Sequence, residues 1–296
     1  ILTGSVLLWD VTHQKISIEE ADSPTSASGS GEWLVWVEES EDEVEITAGN
    51  VTSQTNRTVG GQQWEETPDV VSSGASFVVF DNHSAEYFEH NQESGALQPI
   101  FVTSLDEEIV DIDILTDSNG ATHLAILSQN RLQLVDTSDK SIEIVELNTN
   151  SSVVASSGDL IAISETSESG PLVNITSIDS ELTISIPLDP RSSDRIEDSI
   201  INSGTFLDFQ NSTIIDLVMY SNWLVATVDV GPLNRTVLVD TLSINQTLIS
   251  NPRWDSSSPS IGEDRVAFLQ VTRDDILSTV SSSQRNNDVY VHELES

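Results

Sequence analysis

The sequence predicts an all-β fold, a β-propeller of four-stranded antiparallel blades, and three observations carry that expectation. A unit of about 40 residues recurs along the chain. Within each unit a strongly apolar run precedes an alternating one. No helical periodicity persists for more than two turns anywhere. A single four-stranded unit cannot bury both faces of its own sheet. Units stacked radially bury one another, and closing the ring leaves only short edges. A β-sandwich, or a pair of them, would explain the alternation but not the fixed order of a buried strand before an alternating one.

Taken along the chain, Val6-Leu7-Leu8-Trp9-Asp10-Val11 reads as a third strand and Lys15-Ile16-Ser17-Ile18 as the fourth that completes its hairpin. The second strands are the near-continuous apolar runs, which imply burial on both faces. They are Trp33–Val37, Phe77–Phe80, His123–Leu127, Leu160–Ile163, Trp223–Val228 and Val266–Leu269. The alternating third strands include Val44–Thr47, Leu132–Asp136, Val173–Thr176, Val237–Asp240 and Val289–Leu294. Polar turns lead to fourth strands such as Ser141–Val145 and Leu182–Ile186. Ile109-Val110-Asp111-Ile112 and Ile214-Ile215-Asp216-Leu217 open two units in the same way. The last unit, Ser258 to Leu294, supplies only first, second and third strands. Six second strands against seven third strands favour six blades, with the ring closed by strands from both termini. Seven blades, with strands upstream of Ile1, is the alternative. Ile1 itself reads as a processed or trimmed start. The domain expectation is one propeller over residues 1–296, interrupted at about 189–212 by Pro190, a charged stretch and Phe206-Leu207-Asp208-Phe209. That segment is either a loop capping one face or an ordinary tolerated insertion.

Composition bounds the function. The 296 residues carry 49 acids and 11 bases, a net charge of -38, which excludes nucleic-acid binding through a basic surface. Zero cysteine excludes a disulfide scaffold, a thiol nucleophile, Cys-ligated zinc and iron–sulfur chemistry. No run approaches 18 apolar residues, so no membrane span is expected within the chain. Lys15 and Lys140 are the only lysines. An acidic, lysine-poor surface tolerates its own repulsion where salt screens it, because the Debye length falls to about 3 Å in molar salt. A salt-adapted archaeal source is the preferred reading, and an acidic secreted bacterial protein the alternative. Eight N-x-[S/T] sequons begin at Asn50, Asn56, Asn82, Asn150, Asn174, Asn211, Asn234 and Asn245. Several fall where turns or strand edges are expected, so they read as N-glycan acceptors or as unmodified polar turns. Sequons without cysteine point to an extracellular, cell-surface location.

Two units share a further pattern. Trp64 is followed by Pro68, Gly74 and Phe77-Val78-Val79-Phe80; Trp254 is followed by Pro259, Gly262, Val266-Ala267-Phe268 and Asp288-Val289-Tyr290-Val291. A weaker copy has Pro24, Gly29, Gly31 and Trp33. This resembles the repeat of TolB-type, WD40-like propellers over about three blades. The usual Ser-Pro-Asp-Gly turn is loosened here to Ser258-Pro259-Ser260-Ile261-Gly262, and the middle units lack the Trp and Pro. The resemblance implies a fold that hosts binding, scaffolding, lyase and peptidase-gating roles alike.

In a propeller the loops joining second to third and fourth to first strands share one face. Here those loops are acidic, at Glu38–Glu43, Glu65-Glu66, Asp106–Glu108, Glu165, Glu168 and Asp274-Asp275. Trp64, Glu65, Glu66, Arg253, Trp254 and Asp255 are expected in connections between blades on that face. Indole faces stack on sugars and carboxylates accept their hydroxyls or bind cations, so these six are the candidate binding residues. The competing reading makes both tryptophans packing residues and the acids a solvated coat. The chain has no G-x-S-x-G, P-loop, H-E-x-x-H or D-x-D-x-D-G motif, and its five histidines are scattered over different units. No catalytic residue, metal site or cofactor is expected, surface Ca2+ or other cations aside. The functional expectation is a non-catalytic extracellular propeller for binding or assembly, whose partners are other surface proteins, further copies of itself, or carbohydrate. The alternatives are a propeller enzyme acting on polysaccharide and the gating propeller of a peptidase.

Overall fold

In the computed structural model the described residues are 4–10, 15–21, 24–31, 33–39, 44–50, 53, 55–59, 64, 66–74, 76–89, 97, 99–147, 151–180, 183–189, 212–231, 233–252, 254–272 and 288–294. The fold is all-β, a six-bladed propeller of small antiparallel sheets, with no helix among the described residues. Two compact units make up the chain: Ile1–Leu115 with Gly120–Ser128 and Leu132–Val145, and Thr116–Asn119 with Gln129–Arg131 and Glu146–Ser296.

In the first unit β1 (Gly4–Asp10) pairs with β2 (Lys15–Ala21) as a two-stranded sheet. Three four-stranded blades follow in simple chain order. The first holds β3 (Pro24–Ser30), β4 (Trp33–Glu39), β5 (Val44–Asn50) and β6 (Thr55–Thr58); the second β7 (Asp69–Ser73), β8 (Ser76–Phe80), β9 (Ser84–Glu89) and β10 (Phe101–Ser104). The third holds β11 (Asp111–Thr116), β12 (Thr122–Ser128), β13 (Arg131–Asp136) and β14 (Ile142–Glu146). The second unit adds a fourth blade of β15 (Val154–Ser157), β16 (Leu160–Ser167), β17 (Gly170–Ser177) and β18 (Thr183–Pro187). The fifth consists of β19 (Thr213–Tyr220), β20 (Trp223–Asp229), β21 (Asn234–Asp240) and β22 (Asn245–Leu248). The sixth has three strands among the described residues, β23 (Trp254–Ile261), β24 (Arg265–Thr272) and β25 (Asp288–Glu293).

All six apolar runs are second strands, and the core shows why they carry almost no charge. Alternate side chains of β8 enter different cores: Phe77 and Val79 pack with Val35, Val37, Val70 and Phe88, whereas Val78 and Phe80 pack with Tyr87, Ile112, Leu124 and Ile126. In the second unit Leu224, Ala226 and Val228 of β20 join Ala162, Val173 and Met219, while Val225 joins Leu238, Val266 and Phe268 on the opposite face. A strand covered on both sides by neighbouring blades admits no solvated position.

The third strands depart from the expectation drawn from their alternation. β5, β9 and β21 are buried on both faces through most of their length. Their polar positions, Thr47, Glu86, Arg235 and Thr236, are buried with the rest. The alternation in sequence therefore records small or hydrogen-bonded groups fitted between blades rather than a solvent face. β9 is the third strand that the sequence pattern counts but does not delimit; Glu86 between Ala85 and Tyr87 obscures its pattern. The insertion read at about 189–212 lies outside the described residues but for Asp189 and Ser212.

Neighbouring blades are also tied by side chains. The Oγ atoms of Ser26, Ser28 and Ser30 on β3 accept the backbone N–H groups of Val70, Ser72 and Gly74 at 3.3, 2.9 and 2.7 Å. Val70 and Ser72 alternate along β7, whose two-residue hairpin directs their N–H groups away from β8. The serines thus satisfy the free edge of a first strand, with a constant offset of 44 residues between blades. The hairpins from first to second strand place Gly74 at φ 57, a left-handed conformation that costs glycine nothing sterically. Ser221 takes the equivalent place in the fifth blade at φ 53.

Candidate functional site

The six candidate binding residues fall in both units, and each part is described in its own unit. In the first, Trp64 lies between β6 and β7, half-buried, with its ring packed on the cluster formed by Val35, Val37, Val70, Phe77 and Phe88. Glu66 is exposed, and its Oε2 accepts the Asn82 Nδ2–H group at 2.5 Å from the turn between β8 and β9. Asn82 O and His83 O in turn accept the N–H groups of Ile109 and Leu105. Trp64 therefore anchors the connection while Glu66 presents a carboxylate to solvent. Glu65 lies outside the described residues.

In the second unit Trp254 and Asp255 are the first residues of β23 rather than part of a connection, because the strand begins four residues before the point the sequence pattern suggested. The Trp254 ring meets Tyr290 edge to face at 5.5 Å, and Tyr290 stacks on Phe268 at 6.2 Å. Asp255 Oδ1 accepts the Asn234 N–H at 2.6 Å. Beside it Ser256 Oγ donates to Asn234 O at 2.9 Å and lies 2.9 Å from Thr236 Oγ1. These groups fasten β23 to β21 of the preceding blade. Arg235 is completely buried there, with Nη2 donating to Pro252 O at 3.3 Å. Sequence reasoning passed over Arg235, which falls before the third strand as read from the pattern at Val237–Asp240, whereas β21 begins at Asn234. Arg253 lies outside the described residues.

The electrostatic outliers lie elsewhere. Burial on the first strand of the fifth blade pushes the Asp216 carboxyl up to about 6, against a smaller opposing effect of a hydrogen bond from the Leu217 backbone. The pairing of β19 with β20 shifts register between Ile214 and Asp216. Asp136 and Asp240, at the ends of third strands, are held below the usual carboxylate range, first by the hydroxyls of Ser138 and Ser243 respectively. Among the described residues no three His, Asp or Glu side chains are grouped so as to hold a metal ion. Of the residues read as acidic loops, Asp106–Glu108 and Glu168 are exposed in connections, while 40–43 and 274–275 lie outside the described residues. Glu38 and Glu39 instead end β4, and Glu165 stands half-buried on β16, because those strands run further than the apolar pattern.

The sequons differ in setting. Asn56, Asn82 and Asn245 are exposed, and Asn50, Asn174 and Asn234 half-buried; Asn150 and Asn211 lie outside the described residues. Asn50 Oδ1 accepts the N–H and hydroxyl of Ser53, and Asn174 Oδ1 accepts the Ser185 hydroxyl. In the Asn234 sequon the following Arg235 and Thr236 are both fully buried.

No protein-family model matches the chain, and no curated protein matches it. Solved structures do. The chain is similar to the β-propeller domain of the Trilobed protease from Pyrococcus furiosus, described as having an open velcro topology, at 9% identity and a TM-score of 0.66 over 99% of this chain and 86% of that one. It is similar to acylaminoacyl peptidase from Pyrococcus horikoshii at 9% identity and a TM-score of 0.61, covering 98% of this chain and 46% of that one. The WD40 domain of Toxoplasma gondii coronin matches at 10% identity and a TM-score of 0.53 over 90% and 70%. At such identities the likeness establishes a shared propeller fold, found in peptidases and in WD40 domains alike.

Proposed function

We propose that the chain is a non-catalytic, extracellular propeller of the TolB-like kind, glycosylated and acting in binding or assembly at a salt-exposed archaeal surface. The observation that carries this reading is the partition of its polar groups. Glu66, Asp106–Glu108, Asn56, Asn82 and Asn245 all stand exposed on turns, loops and outer strands, while the second strands are occupied with packing. Its partners are other surface proteins or further copies of the chain. Glu66 and the Asp106–Glu108 loop are the groups offered to cations or to carbohydrate hydroxyls, and Trp64 holds the connection before β7 in place. Antibody raised against the chain should label intact, unpermeabilised cells of its source. Labelling that appears only after permeabilisation would overturn the proposal.

A second reading is favoured by one comparison. The chain spans about half the length of the acylaminoacyl peptidase it matches, which suits the gating propeller of a peptidase whose catalytic domain adjoins it. Sequencing the full-length protein decides this: a flanking hydrolase domain supports peptidase gating, and its absence leaves the surface role.

A further inference from the structure

The hairpin joining β21 to β22 breaks two local rules at once. Leu242 and Ile244 stand 76% and 48% exposed at its tip. Ile244 also adopts φ 60, a left-handed conformation that a β-branched side chain enters only at a cost of about 1–2 kcal/mol. An equivalent hairpin elsewhere in the chain shows that the turn demands the left-handed backbone at this position but neither an apolar nor a β-branched side chain. Between β13 and β14, Lys140 stands at φ 65, and its N–H bonds to Asp136 O as that of Ile244 bonds to Asp240 O. Asp136 Oδ1 accepts the Ser138 N–H at 2.7 Å, and Asp240 Oδ1 accepts the Leu242 N–H at 3.0 Å. The threonines match too: Thr137 bonds Thr122 O, and Thr241 bonds Asn222 O, each through both its N–H and its hydroxyl. The backbone is the same, but Ser138 and Lys140 stand where the fifth blade has Leu242 and Ile244.

A second difference goes with the first. Residue 141 in the third blade is Ser, whereas the fifth blade continues as Asn245-Gln246-Thr247, a sequon. Asn245 and Thr247 are both exposed and alternate along β22, the outermost strand of its blade, so they share one face. The adjoining Asn222 is also exposed, as is Tyr220 at the end of β19.

The geometry points to Asn245 as an N-glycosylation site whose oligosaccharide lies over Leu242 and Ile244, a deepening that rests on the surface-glycoprotein reading above. The transfer needs an oligosaccharide activated as a lipid-linked phosphate ester and a separate transferase. The Asn245 Nδ2–C1 bond forms as the bond from C1 to the phosphate oxygen breaks. The lipid phosphate leaves with that electron pair, and the amide proton passes to a base of the transferase. Sugar rings present C–H faces that cover exposed apolar side chains, so the glycan removes a patch that would otherwise attract other molecules. The Ser138–Lys140 turn is polar and has no sequon.

Glycopeptides covering Leu242 to Leu248, prepared from the protein made in its own cells, test the site. Asn245 should be occupied. Glycans on other sequons with Asn245 bare would overturn the inference and leave the glycoprotein reading standing; eight bare sequons would overturn both. Asn245→Gln then tests the shielding. This variant should gain binding of a hydrophobic fluorescent dye over the glycosylated parent, and adding Leu242→Ser and Ile244→Lys, which reproduces the third-blade turn, should abolish the gain. Dye binding that is unchanged in Asn245→Gln, or that persists with the polar turn, would contradict the shielding role.

Discussion

Asp216 is the side chain whose charge state is most at odds with its surroundings. Burial raises its carboxyl to about 6 from 3.8. Well below 3.8 the group is protonated whether the chain is folded or not, and costs nothing. As the pH climbs towards 6 the unfolded chain releases this proton while the folded chain holds it, so folded stability falls. The loss reaches about 2–3 kcal/mol above pH 6, since one pKa unit corresponds to about 1.4 kcal/mol. Asp216→Asn removes that slope. Urea unfolding of both proteins should therefore show the variant gaining on the parent between about pH 4 and pH 6 and holding its lead beyond. A difference independent of pH would contradict this. Gly49 is a residue fixed by space. A Cβ there would come within 2.9 Å of Asn56 Oδ1 and 3.0 Å of Trp36 Cζ3, and the Trp36 ring is buried. Gly49→Ala should cost about 1–3 kcal/mol in the same assay, whereas an alanine accepted without loss would show that Trp36 can yield.

Between elements, the joints from blade to blade rest on small hydroxyls. Ser28 Oγ lies 2.9 Å from both the Ser72 N–H and Ser72 Oγ. Ser28→Ala should lower stability by about 1–2 kcal/mol, the cost of depriving partly buried donors of their acceptor. Native-state hydrogen exchange should show faster exchange at the Ser72 amide than in the parent, and an unchanged rate there would refute the assigned role. Such joints explain what was legible in the sequence. Second strands such as Phe77–Phe80 announce themselves because both faces meet apolar neighbours. The third strands announce themselves only in part, since Arg235 and Thr236 are polar positions ahead of Val237–Asp240 yet belong to the strand and are buried. Serines 26, 28 and 30 read as an unremarkable polar run; their purpose depends on amides 44 residues away. The candidate site was legible to a similar degree. Trp64 and Trp254 stand out by their repeat pattern, but nothing local tells that Trp254 opens a strand and meets Tyr290.

For the molecule as a whole, the charge of -38 is set on a fold whose second strands are apolar. Exposed acids stand on loops such as Asp106–Glu108 and on outer strands such as β14, all of whose residues are exposed. Glu86, buried on β9, and Asp216 are departures from that arrangement. Mutual repulsion among exposed carboxylates opposes folding over long range in dilute buffer and is screened once the Debye length shrinks from about 10 Å at 0.1 M salt to about 3 Å at 1 M. The proposed surface role depends on this coat being suited to a salty exterior. Thermal unfolding of the chain across that range of sodium chloride is the direct measurement. The unfolding midpoint should rise steadily as salt increases from about 0.1 M to above 1 M; a midpoint that stays level or falls over the same range would contradict the account.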